Sequence, residues 1–435
     1  MANTPSRFDG KFLTDTAWNY AAFAIMAATG VILNFFIATH FGIETLGVFN
    51  QIYAVYIITA QLAVLGLHDS AQKHNAEYLD FPERLEVVSA AALWLAAGSG
   101  LLTAIMIFAL SGPIGRLAES EAVGRGIALA APGLLFFALN KVLMGILNGR
   151  RRMKAFAAAQ AFRVSVILAS CLCVAALDLP GYVLGASFTI AEVALLPGLL
   201  WVLRPPLTGF AEDADFRGWT ANHFRFGTKA LVNGFLGESY IRVDIIMLGV
   251  FVSDHAVGIY SFAALFIEGL YQVPSVVRTI ANPVLVRLFA ASEKAPIVGF
   301  CRRTAGLSAA IYVAAAGAVL VIFPYLEPFF PDQLVRQSYP VLWVLVSGLL
   351  VYSAYIPLDH ALLQAGSPGR QSILMSANVA ANVVLNAMLI PVFGIMGAAV
   401  ATSIAFVVAT VNLNIAAWRW LGIPRGLLSL PPLRG

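Results

Sequence analysis

Residues 90–110, AAALWLAAGSGLLTAIMIFAL, form an uncharged segment that is apolar on nearly every side. Its length matches the ~20 residues with which a helix crosses a ~30 Å hydrocarbon core. The strands of a membrane β-barrel, which is the other structure that satisfies its backbone in lipid, alternate apolar and polar residues instead. The segment therefore predicts a transmembrane helix.

The whole chain has the same character as this segment. Of its 435 residues, 60% are hydrophobic and 11% are charged, whereas a soluble globular protein has about 25% charged residues. A chain with so little charge cannot cover a water-facing surface, so we expect an all-α polytopic membrane protein. Its 3 cysteines and 6 histidines show no zinc-ligand spacing, and neither a metal nor another cofactor is expected.

About twelve apolar runs of bilayer-spanning length follow one another along the chain. We predict spans at residues 17–39, 46–68, 88–111, 126–148, 157–178, 182–203, 226–252, 257–281, 304–325, 340–363, 372–392 and 395–418. With a cytoplasmic N-terminus, most lysines and arginines fall in cytoplasmic loops, and the outside loops hold only Arg116, Arg125 and Arg336. This asymmetry predicts that both termini are cytoplasmic. It explains the net charge of +4 better than nucleic-acid binding does.

The predicted spans divide into two halves of six. Residues 1–204 form the N-terminal half, residues 226–435 form the C-terminal half, and residues 205–225 are the cytoplasmic linker between them. An even number of spans in each half predicts a parallel repeat about a pseudo-two-fold axis along the membrane normal. In such repeats the ligand site lies between the halves, so we expect a central cavity.

Short motifs support the duplication. LGVF at 46–49 and VGIY at 257–260 each open a span, and later in each half the motifs NGR at 148–150 and GR at 369–370 end one. The order of the motifs is the same in both halves. Chance similarity of short glycine-containing turns is the alternative, because glycine is a common residue.

Three segments resemble one known family. Residues 243–249, VDIIMLG, followed by VGIY at 257–260, are similar to the seventh-to-eighth helix signature of polysaccharide flippases. Residues 386–399, NAMLIPVFGIMGAA, resemble the eleventh-to-twelfth helix turn, and residues 147–156, LNGRRRMKAF, the fourth-to-fifth turn. These flippases are O-antigen and capsule repeat-unit translocases of the multidrug/oligosaccharidyl-lipid/polysaccharide exporter superfamily.

This resemblance implies two six-helix lobes around a central cavity that opens alternately to each side. It implies a flippase that moves an undecaprenyl-diphosphate-linked oligosaccharide across a bacterial inner membrane, for O-antigen, lipopolysaccharide or exopolysaccharide synthesis. The expected partners are this lipid-linked oligosaccharide, membrane lipids, and a polysaccharide polymerase with its chain-length machinery. No nucleic acid is expected.

Ionisable residues inside the predicted spans are candidate functional residues, because a charge at bilayer depth costs about 2.5–3.5 kcal/mol on insertion scales. Arg242, Lys141 and Arg163 are the candidates for binding the diphosphate, since their donors can replace its hydration. For Arg242 the alternative is a neutral pair with Glu238, four residues earlier on the same helix face. For Lys141 and Arg163 it is snorkelling to the cytoplasmic head groups.

Acidic and amide side chains complete the candidate set. Asp244, Glu238, Glu192 and Glu268 are predicted either to couple transport to a proton or sodium ion, or to pair with the deep cations; a protonated carboxyl between helices is a further alternative for Glu192 and Glu268. Three asparagines at four-residue spacing are predicted either to contact sugar or to join helices. They are Asn378, Asn382 and Asn386.

Two other functions compete with the flippase. A multidrug or cation antiporter of the same superfamily would need an acidic or aromatic cavity, and three deep cations against four deep acids leave that choice open. A membrane polymerase, ligase or glycosyltransferase would need an acid–base or nucleophile array within reach of its substrate. The predicted outside loops are short and no nucleotide-binding glycine loop is evident, so we do not expect an enzyme.

Overall fold

The computed structural model describes residues 10–205, 214–290, 294–423 and 426–428. Within these ranges the regular structure is helical and no strand occurs, which confirms the predicted all-α class. The helices are α1 Gly10–His40, α2 Ile43–Val64, α3 Leu67–Glu77, α4 Pro82–Leu117, α5 Glu121–Ala130, α6 Gly133–Gly149, α7 Met153–Ala176, α8 Ala186–Leu203, α9 Ala214–Phe251, α10 Asp254–Ala290, α11 Lys294–Ile322, α12 Leu334–Ser353, α13 Ala361–Gln364 and α14 Pro368–Leu421. Residues 206–213, the middle of the predicted linker, lie outside the described residues.

Among the described residues, nine helices are long and apolar enough to cross a membrane, and α5 with α6, bent by 46°, forms a tenth candidate span. Two elements account for the difference from the predicted count. Helix α14 breaks at Gly394, where φ is 55° and ψ is −133°, so it comprises the predicted spans 372–392 and 395–418. Helix α9 is 38 residues long, and its second half carries the charged residues Glu238, Arg242 and Asp244.

Two predicted spans end earlier in the structure. The span predicted at 340–363 is helical only to Ser353, and a short 3-10 turn at Ile356–Leu358 and helix α13 follow. Pro357 inside this turn disfavours continuation of the helix. Helix α2 ends at Val64 because Leu65 and Gly66 adopt left-handed φ values of 51° and 65°.

The chain folds into two compact units. Unit 1 comprises Met1–His40 and Val55–Phe235, and unit 2 comprises Phe41–Ala54 and Leu236–Gly435. Helices α2 and α9 therefore each contribute one part to unit 1 and the other part to unit 2. The part of the predicted linker that the structure describes from Ala214 onward is the beginning of α9.

Unit 1 holds its helices together by close backbone approach. A Cβ added to Gly145 or Gly149 on α6 would overlap the carbonyl oxygens of His68 and Gln72 on α3, so α3 packs directly against α6. The first part of α9 is attached to the same unit. His223 accepts or donates a hydrogen bond of 2.8 Å with the Ser70 hydroxyl, and its second ring nitrogen lies 3.0 Å from the Val88 carbonyl oxygen.

Unit 2 packs α10 and α14 against α12. Gly348 on α12 leaves space for the backbone of α14, because a Cβ there would overlap Ser403. At the start of α10, Gly258 meets the backbone of Ile43 on α2 in the same manner. These contacts position the polar residues of α9, α10 and α14 inside an otherwise apolar unit.

Candidate functional site

In unit 1, Arg163 on α7 pairs with Glu192 on α8. The Arg163 Nε atom lies 2.7 Å from Glu192 Oε1, and the two side chains are 16% and 3% exposed. Asn140 on α6 donates hydrogen bonds of 2.8 Å to Glu192 Oε2 and to the Glu192 carbonyl oxygen. Three helices are thereby joined by one buried and charge-compensated cluster.

Lys141 lies next to Asn140 on α6 and is half-buried. It faces His68, the second residue of α3. Burial lowers the pKa of His68 to about 4, and the positive charge of Lys141 contributes to the same shift. His68 is therefore neutral near pH 7 and adds no second positive charge beside Lys141. Of the predicted deep charges in unit 1, two are cations and one is an acid.

In unit 2, Arg242 on α9 lies between two carboxylates. Its Nε is 3.7 Å from Glu238 Oε2 and its Nη1 is 3.5 Å from Glu268 Oε1 on α10. Its guanidinium carbon also lies 4.4 Å from the ring centroid of Tyr53 on α2. The Arg242 side chain is 11% exposed, whereas those of Glu238 and Glu268 are 35% and 40% exposed.

Asp244 lies two residues after Arg242 on α9, in a separate polar cluster of unit 2. It is buried, it accepts a hydrogen bond from the Tyr260 hydroxyl on α10, and it lies 3.5 Å from the Thr402 hydroxyl on α14. The backbone N–H of Ile245 donates a further bond of 2.9 Å. Hydroxyl groups from two other helices and one backbone N–H of α9 therefore surround one buried carboxylate.

The three asparagines of α14 have different hydrogen-bond partners. Asn382 donates a 3.4 Å hydrogen bond to the Tyr240 carbonyl oxygen on α9, and Asn386 donates a 2.7 Å bond to the Asn382 side chain. Asn378 accepts a 2.8 Å bond from Asn412 beyond the Gly394 break. The Oδ1 atom of Asn386 is buried and accepts no hydrogen bond from any residue that the structure describes.

A further, partly buried ion pair was not among the predicted site residues. Arg278 Nη1 on α10 lies 2.8 Å from Asp359 Oδ2, in the connection after α12. Burial raises the pKa of Asp359, which lies outside the candidate spans, and Arg278 opposes that shift. No sequence pattern predicts this pair, because its members are far apart along the chain.

Metal binding by the usual ligands has no support in this part of the chain. Across the described ranges, no group of three or more His, Cys, Asp or Glu could hold a metal ion. The oxygen atoms at Asp244 form a different kind of set, since carboxylate and hydroxyl oxygens suit hard cations rather than zinc.

Comparisons with known proteins agree with the predicted resemblance. The probable low-salt glycan biosynthesis flippase Agl15 of Haloferax volcanii is 24% identical over 392 residues, covering 86% of this chain and 77% of that protein. The probable flippase AglR of the same organism is 29% identical over 199 residues, covering 45% of this chain and 40% of that protein.

Solved structures share the fold. The lipid II flippase MurJ in an inward closed conformation matches with a TM-score of 0.74 at 14% identity, over 92% of this chain and 87% of its own. An inward-facing multidrug resistance MATE family transporter of the MOP superfamily matches with a TM-score of 0.74 at 13% identity, over 90% of this chain and 96% of its own. The chain thus shares the two-lobe helical fold of these multi-pass proteins.

A family model described as polysaccharide biosynthesis protein matches residues 12–289. This segment is more than half of the chain and includes all of the predicted deep charged residues from Lys141 to Glu268. The chain belongs to the polysaccharide biosynthesis protein family.

Proposed function

We propose that this protein is a flippase that moves a lipid-diphosphate-linked oligosaccharide across a membrane during cell-surface polysaccharide biosynthesis. The family match and the flippase relatives support this proposal, and one structural observation carries it: Arg242, which lies in a predicted span, is 3.7 and 3.5 Å from two carboxylates that do not bind it tightly. The finer assignment, an undecaprenyl-diphosphate repeat unit in a bacterial inner membrane, rests on the sequence resemblance.

The geometry around Arg242 suits reversible phosphate binding. A charge-assisted N–H···O bond is typically about 2.7–2.9 Å long, whereas the distances from Arg242 to Glu238 and Glu268 are 3.7 and 3.5 Å. A diphosphate can therefore replace these carboxylates as the partner of the guanidinium, which binds phosphate oxygens in a bidentate manner. The half-exposed carboxylates can turn toward water when they are displaced.

In unit 1 the proposed cationic contact is Lys141 rather than Arg163. Arg163 is already bound to Glu192 at 2.7 Å, so a phosphate would have to compete with a buried carboxylate. Lys141 lies beside a neutral His68, and its flexible ammonium group can reach a passing phosphate. Glu192 then serves to pair Arg163 and does not couple transport to an ion.

Asp244 is the proposed coupling residue. Asn382 on α14 contacts Tyr240 on α9. Asn386 and Asp244 each lie about one turn further along their helices, and a turn rises 5.4 Å on both. Asn386 is therefore expected level with Asp244. The unpartnered Oδ1 of Asn386, the Thr402 hydroxyl and the Asp244 carboxylate would then offer oxygen atoms to a sodium ion or accept a proton. The central cavity that opens alternately to each side of the membrane stays a prediction from the sequence.

The second candidate is a cation or multidrug antiporter. The half-exposed Glu238 and Glu268 favour it, because two carboxylates beside one guanidinium leave this cluster with a net negative charge. The shared fold with a multidrug transporter is compatible with both candidates.

A cargo comparison separates the two candidates. Purified protein in lipid vesicles would be supplied with a fluorescent polyprenyl-diphosphate oligosaccharide and, in parallel, with the cation ethidium, and protein-free vesicles would serve as the control. We expect protein-dependent translocation of the lipid-linked sugar and none of ethidium. Translocation of ethidium without translocation of the lipid-linked sugar would refute the flippase function and support the antiporter function.

A further inference from the structure

An apolar groove runs between α10 and α11 in unit 2. Its volume is about 590 Å³, within the range of about 300–1,000 Å³ that is typical of small-molecule sites. Most of its lining is branched aliphatic side chains with one aromatic ring and one threonine. The residues used below are Val276, Ile280, Val284, Phe300, Leu307 and Ile311.

Two arginines lie near one end of this groove. Arg287 follows Val284 by three residues on α10, so it continues the groove face of that helix beyond the lining. Arg303 follows Phe300 by three residues on α11 and flanks the lining, and both arginines are exposed. The distribution of basic residues predicts that this end is cytoplasmic.

A second groove of unit 2 lacks this feature. It lies between α12 and α14, has a volume of about 500 Å³, and is lined by residues such as Trp343, Val351 and Val407. The sequence contains no lysine or arginine in residues 337–369 or 371–418. The combination of an apolar groove with guanidinium groups is therefore a property of the α10–α11 groove and not of every groove in the unit.

We propose that the α10–α11 groove binds the hydrocarbon chain of a polyprenyl diphosphate on the cytoplasmic side, with the phosphates at Arg287 and Arg303 before they move on to Arg242. This inference rests on the proposed flippase function and names the surface that first receives the lipid part of the cargo. Guanidinium groups are the complementary partners of phosphates, and the groove beside them is apolar except for one threonine.

The shape of the groove favours one isoprenoid chain over a two-chain phospholipid. It is a single channel between two adjacent helices, and the segment from Val273 to Val284 extends over about 17 Å at 1.5 Å per residue. The methyl branches of an isoprenoid can fill the spaces between the branched side chains of Val276, Ile280 and Val284, which a straight acyl chain would leave empty.

Photolabelling tests this proposal on the full chain in phosphatidylcholine nanodiscs. The probe is geranylgeranyl diphosphate with a diazirine on its hydrocarbon chain, and the labelled peptides are identified by mass spectrometry. We expect labelling of α10 and α11. Leu307→Trp should lower it about tenfold, a loss of about 1.4 kcal/mol in binding, because the larger ring fills the groove from an exposed position.

Two controls accompany this variant. Val407→Trp, at an exposed position of the α12–α14 groove, should leave labelling unchanged, and Ile280→Trp should reproduce the effect of Leu307→Trp from the other helix. The double substitution Arg287→Ala, Arg303→Ala should weaken labelling by the diphosphate several-fold and leave labelling by the uncharged geranylgeraniol probe unchanged.

Three outcomes overturn the inference. These are labelling outside α10 and α11, equal labelling of Leu307→Trp and wild type, and equal competition by phosphatidylglycerol, which would identify a site for bulk lipid. Translocation by wild-type vesicles is measured alongside. Translocation without groove labelling would refute this inference and keep the flippase, whereas groove labelling without translocation would refute the flippase and leave an isoprenoid-binding surface.

Discussion

The two units place an arginine at membrane depth in different surroundings. In unit 1, Arg163 lies 2.7 Å from a carboxylate that is 3% exposed, and Asn140 fixes that carboxylate. In unit 2, Arg242 lies 3.7 and 3.5 Å from two carboxylates that are 35% and 40% exposed. Both arginines lie in predicted spans, yet their partners differ in distance and in burial. Under the proposed function, the tightly paired Arg163 holds helices together and Arg242 is available to a ligand.

The largest expected effect is on the stability of unit 1. Arg163→Ala leaves Glu192 buried without its counter-charge, and removing one partner of a buried pair costs about 3–5 kcal/mol. We expect a marked fall in the denaturant midpoint of the detergent-purified protein. The double variant Arg163→Met, Glu192→Met should recover most of this loss, because it removes both charges. An unchanged midpoint for Arg163→Ala would mean that the pair is not structural.

A fall in pH is expected to destabilise the packing of the first part of α9 in unit 1. Burial lowers the pKa of His223 to about 4, below the ordinary value of about 6.5. The folded state therefore favours the neutral ring. The stability that this preference contributes is fully present above pH 6.5 and is lost as the pH falls toward 4. At about 1.4 kcal/mol per pKa unit, the loss reaches about 3 kcal/mol.

Hydrogen exchange of residues 214–226 measures this effect. Exchange should accelerate between pH 7 and pH 5, after correction for the intrinsic rate, and the second part of α9 should respond less. His74 lies nearby, with its ring centroid 5.8 Å from that of His223. His223→Phe should therefore remove most of the pH dependence while His74→Phe keeps it, and the reverse result would reassign the effect to His74.

The stability of unit 2 should depend less on its arginine. Arg242→Ala leaves Glu238 and Glu268 without a cation, but both are half-exposed and can be hydrated. We expect a loss of about 1 kcal/mol, closer to that of an exposed pair than of a buried one. A loss as large as that of Arg163→Ala, measured in the same unfolding experiment, would remove the distinction between the two arginines.

The smallest expected effect is that of the acidic partners of Arg242. Glu268→Gln removes one carboxylate at 3.5 Å from the guanidinium, so a weak contact of below about 1 kcal/mol is lost. Diphosphate binding should improve slightly, because one competitor for the guanidinium is gone. Titration of the purified variant with geranylgeranyl diphosphate would show this, and weaker binding would indicate that Glu268 positions Arg242.

Local sequence patterns predicted much of the architecture. Apolar runs located the membrane helices. Two of these runs were predicted to be separate spans, and the structure breaks the helix between them at Gly394, which adopts a positive φ. The Glu238–Arg242 pairing was also predictable, since it depends only on a four-residue spacing along one helix. The end of α12 was missed because the apolar run continues past Pro357, a residue that itself disfavours a helix.

Contacts between distant helices could not be predicted in this way. Nothing in the spacing of Asn140, Arg163 and Glu192 shows that three helices bring them together. Likewise, the ring of Tyr53 below Arg242 and the hydroxyl of Tyr260 on Asp244 follow from the packing of unit 2. A single sequence carries the residue types of such a site, while the partners are set by the tertiary structure.

Translocation of a lipid-linked sugar by Arg242 variants tests the central claim most directly. In vesicles with equal amounts of protein, Arg242→Ala should slow translocation of the fluorescent polyprenyl-diphosphate oligosaccharide at least about tenfold, Arg242→Lys should be intermediate because it loses bidentate binding, and Arg125→Ala, which breaks an exposed pair, should match wild type. Translocation by Arg242→Ala at the wild-type rate would contradict the account.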